Sequence, residues 1–217
     1  MSLGSGLRLI VISDTEHAPL EAWLGNLEGL LAAARRGSVL VLLRDRQLPL
    51  GARRELGQRL RQATRAWGHG LSVGDRLDLA VLLEADGVHL SEDSVSVDDA
   101  RAFAAAQGRS WLVSAACHEP EALVAARADV VLLSPVVEAR KGRPALGLAG
   151  IERALSARRQ RATGLAPCRL FALGGVTRHS AGELLAAGAE GVALIGELCV
   201  PGAIPGLLAA LGIAAQR

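Results

Sequence analysis

The sequence predicts a single (β/α)₈ barrel, the TIM-barrel class of α/β folds. The chain has 217 residues, a length that suits one barrel domain. Half of its residues are hydrophobic, which is enough for a large core. Short apolar runs alternate with longer stretches of helical periodicity along the chain, and this alternation is typical of parallel sheets wrapped by helices.

The apolar runs have the length and composition of buried parallel strands. They are Leu7–Ser13, Ser38–Arg44, His69–Val73, Gly87–Leu90, Ser110–Ala115, Asp129–Ser134, Arg169–Gly174 and Gly191–Gly196. The third run carries the weakest strand pattern because it contains glycine and histidine.

Each run is followed by a stretch in which apolar residues recur with a period of about 3.6. These predicted helices are Leu20–Arg35, Ala52–Trp67, Arg76–Glu84, Val97–Gln107, Pro120–Ala126, Leu148–Gln160, Ser180–Ala187 and Ile204–Leu211. The alternative fold is an open doubly wound sheet. That fold favours a glycine-rich fingerprint after the first strand, and Val11–Glu16 does not contain one.

The composition argues against several kinds of partner. The net charge is only +2, and the five aromatic residues are three Trp and two Phe, so a nucleic-acid groove is not expected. No apolar run approaches the roughly 18 residues of a membrane span. The three cysteines, Cys117, Cys168 and Cys199, form no CxxC motif, which favours a reducing cytoplasmic location over a disulfide or zinc framework. We interpret residues 1–6 as an expression leader and residues 7–217 as the barrel.

The last two strands each end in glycine, at Gly174-Gly175 and at Gly196. In a barrel of this class, backbone N–H groups after strands seven and eight form a phosphate site. Glycine allows close approach of a phosphate and tolerates positive φ. We therefore predict a phosphate site here; the alternative is that these glycines only permit tight turns.

The other strand ends carry charged residues. Strand two ends in Arg44-Asp45-Arg46, and strand six leads into a basic loop that contains Lys141 and Arg143. These four cations are candidate contacts to an anionic ligand. Arg44 could instead form an ion pair with Asp45 or with Asp14 at the end of strand one.

The sequence also offers candidates for acid–base chemistry. His118 follows strand five and is our candidate catalytic acid and base, because an imidazole exchanges protons near neutral pH. Its alternative is a capping or surface histidine. For His89 we favour a structural, hydrogen-bonded role. Cys117 is expected to be an inert small hydrophobe. Glu138 could orient a base or lie in solvent.

Together these motifs resemble the thiamine-phosphate synthase / TenI family, in order and through essentially the whole chain. The matching segments are Arg44–Arg46, Asp75–Ala80, Ala85–Leu90 (ADGVHL), Cys117–His118, Ala128–Val136, Ala172–Val176 and Gly188–Ala193. The resemblance implies a (β/α)₈ barrel that assembles as a homodimer or a higher homo-oligomer. Synthase members join a pyrimidine pyrophosphate to a thiazole phosphate with Mg²⁺ and release pyrophosphate. TenI members include a thiazole tautomerase that uses no metal.

The resemblance assigns the thiazole phosphate to Gly174, Gly175, Ile195 and Gly196, which are intact. Asp75 is the metal ligand that the resemblance implies for a synthase, although an aspartate there could also cap the next helix.

The remaining synthase features are altered. The Gln-x-Arg-x-Lys pattern of strand two becomes Leu42, Arg44 and Arg46, and the second metal carboxylate is replaced by Ser94, with Glu92 and Asp93 before it. The Thr-x-Thr-Lys loop becomes the basic segment 138–143. These departures favour a TenI-like protein that binds thiazole phosphate without a metal and tautomerises it through His118. The alternatives are a synthase with an atypical Mg-pyrophosphate site and a non-catalytic barrel that binds a phosphate ligand.

Overall fold

The computed structural model describes residues 6–16, 18–160 and 168–215, and it confirms the predicted barrel. Eight parallel strands follow one another around a closed sheet in chain order, from β1 to β8. Closure is direct, because β8 pairs with β1 in the register Leu9–Val192 and Val11–Leu194. A closed sheet excludes the doubly wound alternative. The predicted leader at residues 1–6 lies outside the described residues except for Gly6.

The strands are short and almost wholly buried. They are β1 Leu9–Ile12, β2 Val39–Leu43, β3 Gly70–Gly74, β4 Gly87–Leu90, β5 Leu112–Cys117, β6 Val130–Leu133, β7 Arg169–Ala172 and β8 Gly191–Leu194.

Seven α-helices are present in the described part of the chain. They are α1 Leu20–Ala33, α2 Leu50–Trp67, α3 Leu77–Leu82, α4 Val97–Ala106, α5 Gly147–Arg159, α6 Ala181–Ala186 and α7 Ala203–Leu211. Two short 3₁₀ helices, Pro120–Ala125 and Gly196–Cys199, follow β5 and β8. None of the described helices is both long and apolar enough to cross a membrane.

Alternate residues of each strand face opposite sides of the barrel wall. Those that point outward, such as Val11 and Val41, pack under the helices in the larger hydrophobic cluster. Those that point inward, such as Ile10, Leu40 and Phe171, fill the barrel interior in a second cluster. The interior is therefore a packed core, and any ligand site must lie at one end of it.

Two predicted elements differ from the structure, one in its boundaries and one in its type of helix. The fifth strand was placed at Ser110–Ala115 but begins at Leu112 and continues to Cys117. Trp111 precedes it and stacks on Phe103 of α4, with ring centroids 6.1 Å apart. The segment predicted as the fifth helix, Pro120–Ala126, is a 3₁₀ helix over Pro120–Ala125, a form that is common in short connecting segments.

Barrel closure depends on a glycine at the start of β8. A Cβ at Gly191 would lie 2.4 Å from the ring of Phe171 and 2.6 Å from the carbonyl oxygen of Arg8. We therefore expect Gly191→Ala to lower the free energy of unfolding by about 1–3 kcal/mol through overpacking. Urea denaturation measures this effect. The matched control is Gly182→Ala, whose Cβ meets nothing within 4 Å and which should stabilise the helix by about 0.5–1 kcal/mol. Equal stabilities of the two variants would contradict the prediction.

Candidate active site

The carboxyl ends of the strands surround a cavity of about 540 Å³. Eight of the ten predicted site residues line it: Arg44, His118, Lys141, Arg143, Gly174, Gly175, Ile195 and Gly196. The other two, Arg46 and Asp75, lie outside its lining and contact each other. The fold thus brings together the predicted phosphate residues, the predicted acid–base residue and most of the predicted cations.

The predicted phosphate residues after β7 and β8, which we call the glycine cup (Gly174, Gly175, Ile195 and Gly196), form one side of the cavity. Gly174 and Gly175 have φ of +100° and +72°, a region that L side chains rarely adopt. A Cβ at Gly174 would also lie 2.9 Å from the Cα of Pro135. Gly196 differs, because a Cβ there would meet nothing within 4 Å. The turn itself requires the first pair of glycines, whereas the third leaves space open in the cavity.

The basic loop after β6 forms a second side. Arg140 and Arg143 exchange two backbone hydrogen bonds of 3.0 Å across a two-residue turn. Both turn residues, Lys141 and Gly142, have positive φ, at 52° and 76°, as a tight type I′ turn requires. We call residues 140–143 the cationic hairpin. Three of its side chains, those of Arg140, Lys141 and Arg143, line the cavity, so this short segment concentrates positive charge beside the cup.

His118 has a defined hydrogen-bonding orientation in the cavity. Its Nδ1 lies 2.6 Å from the carbonyl oxygen of Ser134. Because a carbonyl can only accept, Nδ1 carries the proton. The other ring nitrogen, Nε2, lies 3.5 Å from a carboxylate oxygen of Glu92, which in turn is 3.1 Å from Arg143. His118 does not cap the next helix, since the residue at that cap is Glu119.

Arg44 lies in the cavity lining and pairs with the buried carboxylate of Asp14 at 2.8 Å. Asp45 is not its partner. It is buried and accepts hydrogen bonds from the backbone and hydroxyl of Thr15 at 2.8 Å and from Ser13. Of the two alternatives for Arg44, the ion pair with Asp14 is therefore present, and the arginine is held at the mouth with 37% of its side chain exposed.

Asp75 does not cap helix α3. The residue at the cap is Arg76, and its side chain instead pairs with Asp78. One carboxylate oxygen of Asp75 accepts bonds of 2.9 Å from the backbone N–H and the hydroxyl of Ser91, and the other pairs with Arg46. Burial raises the pKa of Asp75, but the bonds from Ser91 and the charge of Arg46 outweigh this effect and leave it below its ordinary value.

The donor set around Asp75 does not fit Mg²⁺. Magnesium takes an octahedral set of oxygen ligands that usually includes one or two carboxylates. Both oxygens of Asp75 are already engaged, one of them by a guanidinium, and a cation beside that guanidinium would be repelled. Among the described residues, no group of three or more His, Cys, Asp or Glu side chains could hold a metal. Asp75 is thus the partner of Arg46 in this structure.

His89 has the structural role that the sequence predicts. Its Nδ1 lies 3.0 Å from the hydroxyl of Ser114, which donates to the carbonyl of Val88 at 3.2 Å. Burial lowers its pKa to about 4, and the charges of Arg46 and Arg44 add to this effect while Asp75 opposes it. His89 is therefore neutral at pH 7.

The neutral state of His89 makes stability depend on pH. Between about pH 6.5 and 4 the histidine is protonated in the unfolded chain, where its pKa is near 6.5, but stays neutral in the folded chain. The free energy of unfolding therefore decreases as the pH falls through this range. Between pH 7.5 and 5 we expect a loss of up to about 2 kcal/mol from this residue. Urea denaturation at the two pH values should show a smaller loss for His89→Gln, whereas the exposed His179→Gln should behave as the parent. An unchanged pH dependence in His89→Gln would contradict the assignment.

Cys117 is not a nucleophile in this structure. Burial raises the pKa of its thiol to about 11, and its Sγ lies 3.1 Å from the carbonyl oxygen of Glu119. A thiol in that environment stays protonated and inert. Glu138 lines the cavity beside Gly175, whose Cβ would lie 2.5 Å from the Glu138 side chain.

Sequence reasoning missed two acidic residues of the site. Glu92 was noted only for its place before Ser94, yet it contacts both His118 and Arg143. Glu197 is buried at the edge of the cup and accepts bonds of 2.9 and 3.0 Å from the backbone and side chain of Arg178. Its position directly after the last strand glycine was a signal that could have identified it.

Comparison with known proteins agrees with the geometry. The profile of the TMP-TENI family, described as thiamine monophosphate synthase, matches residues 9–198. A putative thiamine-phosphate synthase of Geobacter sulfurreducens is 34% identical over 194 residues, which cover 86% of this chain and 84% of that protein. A thiamine-phosphate synthase of Natronomonas pharaonis is 35% identical over 190 residues, covering 85% and 84%.

A solved structure shares the fold. The thiamine phosphate pyrophosphorylase of Pyrococcus furiosus superposes with a TM-score of 0.80 at 23% identity, over 97% of this chain and 98% of that one. With the family profile spanning β1 to the second 3₁₀ helix, and with two relatives above 30% identity, the chain belongs to the thiamine monophosphate synthase (TMP-TENI) family.

Proposed function

We propose that this protein is a thiamine-phosphate synthase, the activity given above as the alternative to a tautomerase. The observation that carries the proposal is a single cavity with two sides suited to anions, the glycine cup and the cationic hairpin. A tautomerase has one phosphorylated substrate, whereas a synthase must hold a phosphate and a pyrophosphate together. The named relatives, which match this chain over most of their length, support the same activity.

The roles of the two sides follow from their chemistry. The cup offers backbone N–H groups at three glycines that have no side chain to block close approach, which suits the phosphate of the thiazole. The cationic hairpin, with Arg44 across the cavity, offers guanidinium and ammonium groups for the pyrophosphate of the pyrimidine.

The reaction transfers the pyrimidine group from pyrophosphate to the thiazole. The bond to pyrophosphate breaks and its electron pair leaves with the pyrophosphate, while the thiazole supplies the pair for the new bond. Negative charge therefore grows on the leaving group, and preorganised cations that face it stabilise the transition state. Arg44, Arg140 and Arg143 are the side chains we assign to this role.

The proposal is tested by incubating the protein with thiazole phosphate and pyrimidine pyrophosphate, in parallel arms that contain Mg²⁺ or a chelator. We expect thiamine phosphate and pyrophosphate to form in equal amounts, and neither to form when the thiazole phosphate is omitted. The contrary outcome is that no thiamine phosphate forms in either arm although thiazole phosphate raises the melting temperature of the same protein sample. That result would show that the ligand binds without synthase activity.

Thiazole tautomerisation is a second candidate, and the orientation of His118 favours it. Its proton on Nδ1 is held by Ser134, so Nε2 is the nitrogen available to exchange a proton in the cavity. Solvent deuterium should then enter the thiazole ring, and His118→Gln should slow this exchange by about 100-fold or more if the histidine is the acid and base. Exchange at the parental rate in His118→Gln would remove this candidate without affecting the synthase proposal.

A further inference from the structure

The carboxylate of Glu92 occupies a position between two groups that face the cavity. It lies 3.1 Å from the guanidinium of Arg143 and 3.5 Å from Nε2 of His118. All three side chains line the cavity. The carboxylate thus occupies the Arg143 guanidinium that an incoming anion would use.

We propose that Glu92 is an internal counter-anion that determines how tightly, and which, anions bind to the cationic hairpin. The inference rests on the proposed pyrophosphate site. An anion that is to reach Arg143 must displace a carboxylate that already holds it, and an anion that binds beside Glu92 is repelled by it. Both effects weaken binding. The cost of displacing the carboxylate is the same for every ligand, so it weighs most against ligands of low charge, which gain the least from the cations of the hairpin.

The local structure permits this displacement. Glu92 lies in the loop after β4 with 50% of its side chain exposed, so its carboxylate can move into solvent without being buried elsewhere. Arg143, in contrast, belongs to a hairpin closed by two backbone hydrogen bonds, and His118 is held by Ser134. The backbone that carries the donor is therefore held in place, while the exposed acceptor can move into solvent, which is the arrangement that an exchange of anions requires.

Charge selection follows from the same geometry. A monoanion that replaces the carboxylate exchanges one charge for one and gains little. Pyrophosphate carries several negative charges and enough oxygens to contact Arg143 and its neighbours on the hairpin together. Glu92 thereby raises the free-energy cost of binding any anion at Arg143, and it favours the diphosphate over singly charged competitors, which recover less of that cost.

The test is an isothermal calorimetric titration of the protein with inorganic pyrophosphate in a chelating buffer. Glu92→Gln removes the charge while its amide oxygen can still accept a bond from Arg143, so the hairpin keeps its contact. We expect this variant to bind pyrophosphate about 5- to 10-fold more tightly than the parent, in line with the modest worth of partly exposed charge pairs.

The matched control is Asp93→Asn, which removes the same charge from the adjacent exposed position outside the cavity lining. Its affinity should stay within about twofold of the parent, because solvent screens a charge that makes no contact with the site. The gain from Glu92→Gln should also shrink in an Arg143→Gln background, where the competition has been removed.

Affinity that is unchanged or weaker in Glu92→Gln, or equally improved in Asp93→Asn, would overturn the inference. These outcomes are independent of the synthase assay. Turnover with unchanged pyrophosphate affinity in Glu92→Gln rejects the counter-anion alone, whereas a tightened affinity without turnover rejects the synthase alone. Failure of the parent and of Glu92→Gln alike to bind pyrophosphate rejects the inference together with the anion site on which it rests.

Discussion

Gly174→Ala is expected to abolish detectable binding of thiazole phosphate and to lower the free energy of unfolding by about 2–4 kcal/mol. Two causes act together. The φ of +100° strains any residue with a Cβ, and that Cβ would lie 2.9 Å from the Cα of Pro135, a backbone atom that cannot rotate away. The turn must therefore shift, and the cup moves with it. Calorimetric titration with thiazole phosphate and urea denaturation measure the two effects.

Gly196→Ala separates loss of the site from loss of the fold. Its Cβ meets nothing within 4 Å and its φ is not positive, so stability should stay within about 0.5 kcal/mol of the parent. The added methyl group nevertheless enters the cup, and thiazole phosphate should bind at least about 10-fold more weakly, because it can no longer approach the backbone. Parental affinity in Gly196→Ala would mean that the phosphate binds elsewhere in the cavity.

Arg44→Gln is expected to weaken pyrophosphate binding by roughly 10- to 100-fold, the worth of one charge-assisted hydrogen bond. Arg44 follows β2, which lies opposite β6 in the closed eight-stranded barrel, so this cation faces the cavity from the side opposite the cationic hairpin. Titration with inorganic pyrophosphate in a chelating buffer measures the effect. The loss should diminish as salt concentration rises, because counter-ions screen the charge.

Stability must be controlled in this experiment, since Arg44 also pairs with the buried Asp14. Losing the arginine should cost about 1–2 kcal/mol, reduced from the value of a fully buried pair by the exposure of its side chain. The double variant Arg44→Gln/Asp14→Asn should recover part of this stability without recovering affinity. Arg59→Gln removes the same charge from an exposed ion pair with Glu21 and should leave pyrophosphate affinity unchanged. Equal affinities of Arg44→Gln and Arg59→Gln would contradict the role of Arg44.

The order and number of the strands were predictable because each strand of a closed parallel barrel is buried on both faces and therefore appears as a continuous apolar run. Boundaries were harder to predict where an apolar residue packs outside its strand. Trp111 looked like part of β5, but its stacking on Phe103 is a tertiary contact that no local pattern contains. Likewise, the short segment at Pro120–Ala125 has helical spacing, but its type depends on whether its backbone bonds join residues three or four apart, which the spacing does not specify.

In the candidate site, too, some features could be predicted from the sequence and others could not. Its glycines and its cations were found because barrel topology alone brings strand ends together. The contact between Glu92 and Arg143 was not found, because it joins residues 51 positions apart through loops whose paths the sequence does not specify. The pairing of Asp75 with Arg46 was not predicted for the same reason, and it engages the carboxylate that the resemblance assigned to a metal in a synthase.

The cationic hairpin has a consequence for how this protein could change its substrate over evolutionary time. Its turn closes on its own backbone bonds between Arg140 and Arg143, so a replacement of equal length would leave the barrel core untouched. The glycine cup has no such freedom, because Gly174 fits against Pro135 and cannot vary without moving the strand ends. Variation should therefore accumulate in the loop that we propose to contact the leaving group, while the end of the cavity proposed to anchor the phosphate stays constant.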